Sequence, residues 1–211
     1  MFHYVSHPGA PDRLLRTLLY ELSVQALSAR DAGQRLLGKP AVPWDDIQLL
    51  ISHSAAVGTF LWPLRTRNRR LREAFPARGE VLRKITDVGI DLTPIKNLRD
   101  SMVHIDEKFE QFILDHPEEP IFLRTIGNHE RTTGNFLSWI PDTTTVTFFE
   151  HQVEVEPLVS LLDQVGRKAS SALMMYTGPG DVLAGDPFTG SRPFMMLPPM
   201  FPTTERDTTE M

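Results

Sequence analysis

A chain of 211 residues with 41% hydrophobic and 23% charged residues can bury a sizeable core, and it has room for one domain with an appendage rather than two full domains. With no cysteine it can form no disulfide framework, no thiolate metal site and no cysteine nucleophile. A net charge of −5 excludes a surface that coats nucleic acid all over and leaves RNA contact to local basic patches.

The opening residues, MFHYVSHPGA, hold no basic cluster followed by an apolar run, so no secretory signal is expected. The longest apolar stretch, 47–64, is interrupted by Gln48, His53 and two serines and falls short of a bilayer span. The expectation is a cytoplasmic protein with no membrane segment.

In chain order, Asp12 after Pro11 reads as a helix cap, and Leu15, Leu18, Leu19, Leu22 and Ala26 follow at helical spacing until Gly38 and Pro40. Trp44-Asp45-Asp46 opens a second helix with an apolar body to Leu61, which Pro63 ends or kinks. His53 in that helix reads as a hydrogen-bonded core or groove residue. Between positions 65 and 84 lie seven arginines and one lysine against Glu73 and Glu80. The early part of this run is a helix extension or an exposed loop, and 79–89 is a short helix bounded by glycines. Thr93-Pro94 then offers a capping hydroxyl and a proline at the first helical position, predicting one helix to about Asp115.

Beyond Pro120 the period turns from helical to alternating, with strands expected over 121–126, 136–140 and 146–155 and a turn at Pro141-Asp142. From Glu156, the residues Leu158, Leu161, Leu162, Val165 and Ala169 return to helical spacing as far as Tyr176. Residues 177–211 carry six prolines and no sustained period, so a disordered tail is expected. Within it, 194–201 is an apolar island that either docks on this domain or a partner, or is passive. The sequence thus describes a mainly α protein: one domain over 1–176, comprising a helical bundle at 11–116, a β-hairpin segment at 120–155 and a C-terminal helix at 156–176, with the proline-rich tail after it.

One constellation carries chemistry. In the helix after Pro94, Ile95, Leu98, Met102, Ile105, Phe109 and Phe112 form a core-facing stripe. At about 100° per residue, Asn97, Asp100, His104 and Gln111 fall on the side away from that stripe and Arg99 on its flank. Asp100 and His104, four apart, can meet on one helical face, where the carboxylate would orient the imidazole. Arg99 adds a planar cation suited to phosphate.

The segment Leu98-Arg99-Asp100-Ser101-Met102-Val103-His104 resembles the HEPN superfamily of small helical bundles, marked by arginine, a polar residue, a short spacer and histidine. The resemblance covers roughly 11–116 and rests on this one helix. Many HEPN proteins are metal-independent endoribonucleases that act as dimers, often as toxins or antiviral effectors, with the arginine and histidine lining a cleft between subunits. The resemblance implies that Arg99 binds the scissile phosphate, that His104 shuttles protons as the RNA 2′-hydroxyl attacks, and that Asp100 is the polar second residue, where the family more often has asparagine. Implied partners are a second copy of the chain, RNA and a protein partner such as an antitoxin, with no cofactor and no metal.

A second match to the spacing, Arg124 to His129, falls where strand and turn are expected and is set aside. Arg65, Arg67, Arg69, Arg70 and Arg72, with no acidic residue among them, are the natural place for RNA phosphates. The other histidines, His3, His7, His116, His129 and His151, lack the spacing of a zinc site and receive no role. No glycine-rich phosphate loop, Ser/His/Asp order or HExxH pattern is present. The competing reading is a non-catalytic helical interaction protein.

Overall fold

The computed structural model describes residues 10–37, 44–64, 66–68, 72, 74–87, 89, 91–127 and 136–176. Among them are six helices, α1 (Ala10–Leu37), α2 (Trp44–Leu61), α3 (Ala74–Ile85), α4 (Thr93–Val103), α5 (Ile105–Asp115) and α6 (Val155–Tyr176). Four short strands lie between α5 and α6: β1 (Thr125–Ile126), β2 (Leu137–Ile140), β3 (Thr145–Phe148) and β4 (His151–Glu154). The mainly helical class and the change of period after Pro120 are therefore as the sequence predicts. The tail island and the tail's expected disorder lie outside the described residues.

The core forms where apolar stripes face one another. α1 packs against both α6 and α2, and α2 also packs against α4. Leu19, Leu22, Ala26, Ala29 and Leu36 of α1 meet Leu158, Leu161, Leu162, Val165 and Ala169 of α6, all buried. Each leucine so buried is worth about 1.5–3 kcal/mol. The alanines set a small-residue seam that lets the α1 and α6 backbones approach closely. At the edge of that seam Arg30 Nη1 donates to Asp163 Oδ1 at 2.8 Å. His53 bonds Gln25 at 2.6 Å across α1 and α2, as expected of a hydrogen-bonded groove residue.

Several elements depart from the expectation, and the strand expected over 121–126 is only Thr125–Ile126. α1 begins at Ala10, two residues before Asp12. α3 starts at Ala74 and contains Gly79 instead of being bounded by it. A Cβ at Gly79 would lie 2.7 Å from the Leu61 carbonyl oxygen and 2.6 Å from Pro63 Cδ. The residue is small because another backbone passes. The cap of α4 is also different: Thr93 donates its N–H and hydroxyl to Asp91 Oδ1, at 2.9 and 2.5 Å.

The third strand expected, 146–155, is two strands joined by the two-residue turn Phe149-Glu150, so the hairpin segment is a four-stranded sheet in the order β1-β2-β3-β4. β1 runs parallel to β2, and the other neighbours are antiparallel. Pro141–Thr143 makes the expected turn between β2 and β3, ending at Thr144 with φ of 46°. Phe149 also has positive φ, 52°, as the first residue of a tight hairpin turn requires. Its ring explains why a bulky residue is held there: it packs on Phe109, Phe136 and Phe148 with centroids 5.5, 5.1 and 4.9 Å away. This aromatic cluster fastens the sheet to α5.

Candidate active site

The helix predicted from Pro94 to Asp115 is two helices meeting at His104. Backbone hydrogen bonds continue across the junction, from His104 N–H to the Asp100 carbonyl at 3.3 Å and from Lys108 N–H to the His104 carbonyl at 2.9 Å. His104 itself, with φ of −110° and ψ of 28°, leaves the helical region. The core stripe survives the break: Ile95 and Leu98 are fully buried, and Met102 and Ile105 pack on the core. Phe109 and Phe112 reach Phe136, with centroids 4.4 and 5.3 Å apart.

The break separates the partners expected to pair. Asp100 accepts from Lys96 Nζ at 2.9 Å and pairs with Arg99 Nη1, while His104 Nδ1 lies 2.9 Å from Glu107 Oε2. Burial pushes the Asp100 carboxyl upward, but hydrogen bonds and charges from Lys96 and Arg99 outweigh it and hold the carboxyl below its ordinary value. Arg99 stands apart from the histidine. Its side chain is only 12% exposed, its stem packs toward Gly58 of α2, and its Nε is buried with no hydrogen-bond partner among the described residues. The stem packs α4 against α2, and the guanidinium steadies Asp100.

His104 and Asp100 instead line an open cleft of about 430 Å³ with Ser101, Glu107, Lys108, Gln111, Glu150 and His151. Arg99 is not among the lining residues. Lys108 is one helical turn after His104. Its Nζ donates to Ser101 Oγ at 3.1 Å and pairs with Glu150, which also faces His151 Nε2 at 3.3 Å. The Glu150 carboxyl is raised by burial and, more strongly, lowered by Lys108, its own backbone N–H and the His151 charge, for a net downward displacement. The Phe149-Glu150 turn supplies these groups, and the Lys108 ammonium sits 5.1 Å from the Phe149 ring centroid.

Chemically, the cleft offers two imidazoles, each held against a carboxylate, with a lysine that shares a carboxylate with one of them and a helical turn with the other. Its three carboxylates outnumber its one lysine, so it is negative by two with neutral histidines and balanced when both are protonated.

Sequence reasoning did not place Lys108, Glu150 and His151 here. They come to His104 through the β3–β4 turn, and no spacing in the sequence signals that contact. Of the basic cluster, Arg67 and Arg72 are exposed, and Arg65, Arg69 and Arg70 lie outside the described residues. Arg124, of the second spacing match, stacks over Trp44 at 5.8 Å, and His129 lies outside the described residues. Among the described residues no three His, Asp or Glu are grouped to hold a metal ion, and no helix is long and apolar enough to cross a membrane. Comparison with protein-family models, curated proteins and solved structures finds no match.

Proposed function

We propose that this chain is a HEPN-like endoribonuclease that cleaves RNA without a metal ion and works as a homodimer. The observation that carries the reading is the presence of His104, Lys108 and His151 in one open cleft. RNA brings its own nucleophile, the 2′-hydroxyl, so cleavage needs two proton transfers and a positive charge near the phosphate. One imidazole removes the 2′-hydroxyl proton as the 2′-oxygen bonds to phosphorus. The phosphorus–5′-oxygen bond breaks, and the other imidazole, entering as imidazolium, protonates the departing 5′-oxygen. The products are a 2′,3′-cyclic phosphate and a 5′-hydroxyl.

With Nδ1 of His104 against Glu107 and Nε2 of His151 against Glu150, the nitrogens left for the substrate are Nε2 of His104 and Nδ1 of His151. Lys108 supplies the cation near the phosphate. Asp100, in the cleft wall, and Arg99, which holds it from behind, act in this account as positioning residues, and Arg65, Arg67, Arg69, Arg70 and Arg72 bind flanking phosphates. The dimer forms on the exposed side of α4 and α5, where Val103 and His104 face away from the core. A protein antitoxin is a natural controller of such an activity.

The test is cleavage of single-stranded RNA by wild type and by the His104→Ala, His151→Ala and Arg99→Ala variants. Loss of either histidine should lower the rate by about 10²–10⁴. Light scattering should return a dimer. Equal cleavage by all four proteins, or a strict monomer at high concentration with full activity, refutes the reading in its catalytic or its dimeric part respectively.

One observation favours the second reading, a non-catalytic interaction protein. Ile113, Leu114, Ile121, Phe122, Leu123 and Ile126 are all exposed in the short stretch from α5 to β1, and clustered exposed apolar side chains mark partner surfaces. RNA cleavage that depends on His104 separates the two.

A further inference from the structure

Next to the His104 cleft lies a second cavity of about 320 Å³, which shares Lys108, Gln111 and Glu150 with it. Its walls are different. Phe112, Phe136, Phe149 and His116 supply ring surface, and Gln111 and Asp115 supply polar groups at its edge. The His116 ring lies 5.0 Å from that of Phe112 with only 31° between their planes, and Phe136 meets both Phe112 and Phe149 edge-on at 84° and 70°. The rings are thus fixed by one another before any ligand arrives, and Phe112, Phe149 and His116 keep part of their surface exposed.

Fixed aromatic walls with a few convergent polar groups are the ordinary make-up of a small-molecule site. Unpaired RNA bases are recognised by stacking on phenylalanine or histidine rings and by hydrogen bonds to their edges. Gln111 Nε2 donates to Asp115 Oδ2 at 2.7 Å, which leaves the Gln111 carbonyl oxygen and the second Asp115 oxygen as acceptors. Acceptors fit bases that carry an exocyclic amino group. Because the two cavities share Lys108, a nucleotide whose phosphate lies beside His104 and Lys108 has its base within reach of these rings.

Resting on the RNA-cleavage reading of the first cleft, we propose that this second cavity is a subsite for one unpaired nucleobase next to the scissile phosphate, favouring amino-bearing bases over uracil. Duplex RNA is then a poor substrate, since its bases are already stacked and paired. Phe112 sets affinity, and Gln111 and Asp115 set the choice of base.

The experiment titrates the full-length protein with inorganic phosphate and with adenosine, cytidine and uridine 3′-monophosphates, beside cleavage of a single-stranded RNA. The adenosine and cytidine nucleotides should bind about tenfold or more tighter than phosphate, because stacking on a protein ring is worth roughly that factor. Uridine 3′-monophosphate should bind less tightly than either. Phe112→Leu, which keeps apolar volume but removes the ring, should bring the nucleotides toward phosphate, and Gln111→Ala combined with Asp115→Ala, both exposed positions, should erase the difference between cytidine and uridine.

Equal binding of phosphate and all nucleotides, no binding of any, or preferences unchanged in both variants would overturn the subsite. A protein that shows the Phe112-dependent preference yet leaves RNA intact upholds the subsite and refutes the nuclease. One that cleaves RNA in a His104-dependent way but treats nucleotides and phosphate alike does the reverse.

Discussion

Gly58 is the point where α2 lets α4 come close, and filling it tests the packing that carries the candidate site. A Cβ at this position would stand 2.5 Å from the Cβ of Arg99 and 3.0 Å from the Ile95 carbonyl oxygen. Non-bonded carbons settle at about 3.5–4.0 Å, so Gly58→Ala must part the helices by about 1 Å. The obstacles are a side-chain stem and a backbone atom, which have nowhere to turn. Overpacking of this kind costs about 1–3 kcal/mol, and alanine's better helix propensity offsets about 1 kcal/mol of it. The net expectation is a loss of up to about 2 kcal/mol, a fall in Tm of up to several degrees for a chain of this size. Gly166→Ala is the comparison, because the nearest atoms to its added Cβ all belong to side chains, Leu27 Cγ and Cδ2 at 2.9 Å and Ala26 Cβ at 3.4 Å. Urea denaturation of wild type and both variants, followed by far-ultraviolet circular dichroism, measures the difference. If Gly58→Ala is more stable than wild type by about 1 kcal/mol, as helix propensity alone would give, the close approach of α2 and α4 is wrong and so is the burial of Arg99 that depends on it.

Three further outcomes are expected. Leu22→Ala, at a side chain with no exposure in the α1 stripe, should cost about 2–5 kcal/mol in the same denaturation assay. The Asp163 carboxyl is raised by burial but more strongly lowered by hydrogen bonds and charges from Arg30 and Arg167, so its folded value lies below the ordinary 3.8. Its contribution is therefore present above pH 3.8 and is lost as pH falls through the lower folded value. Denaturation midpoints taken from pH 7 down to pH 3 should fall less steeply at the acid end for Asp163→Asn, which already lacks about 1–2 kcal/mol at neutral pH. Lys108→Met keeps a long apolar side chain beside Phe149 and removes the charge, so kcat for RNA cleavage should drop about 10²-fold with Tm little altered; an unchanged kcat takes Lys108 out of the mechanism.

Helix existence was legible wherever apolar residues recur at three and four, because that period reflects a buried stripe. α2 runs from Trp44 to Leu61 as its start and stop residues indicate, and α6 keeps the stripe read from Leu158, Leu162, Val165 and Ala169. What the period cannot report is a local change that leaves the stripe in place. The break at His104 is such a change: the apolar side chains keep their face, and backbone hydrogen bonds bridge the junction, so the pattern reads as continuous. The same limit hides the β3–β4 turn. Phe148, Phe149 and Val153 look like one β-rich run, and neither glycine nor asparagine marks the turn, because aromatic packing in place of residue type holds Phe149 at positive φ.

Those two hidden features decide the site. The helix break turns His104 from Asp100 to Glu107, and the turn brings Glu150 and His151 to Lys108. Asp100 meanwhile is held by Lys96 and Arg99. Arg99 and His104, five residues apart, appear in the sequence as one motif, yet the fold assigns one to a helix–helix contact and the other to the cleft. The spacing of a motif states which residues can share a face of an ideal helix. It does not state which acquire partners from another element, and here that partner is a hairpin more than forty residues further along the chain. An arginine at 12% side-chain exposure, with an orphaned Nε beside a glycine seam, is committed to packing. The cation that lines the cleft with His104 is Lys108, whose ammonium is held there by the Ser101 hydroxyl, the Glu150 carboxylate and the Phe149 ring.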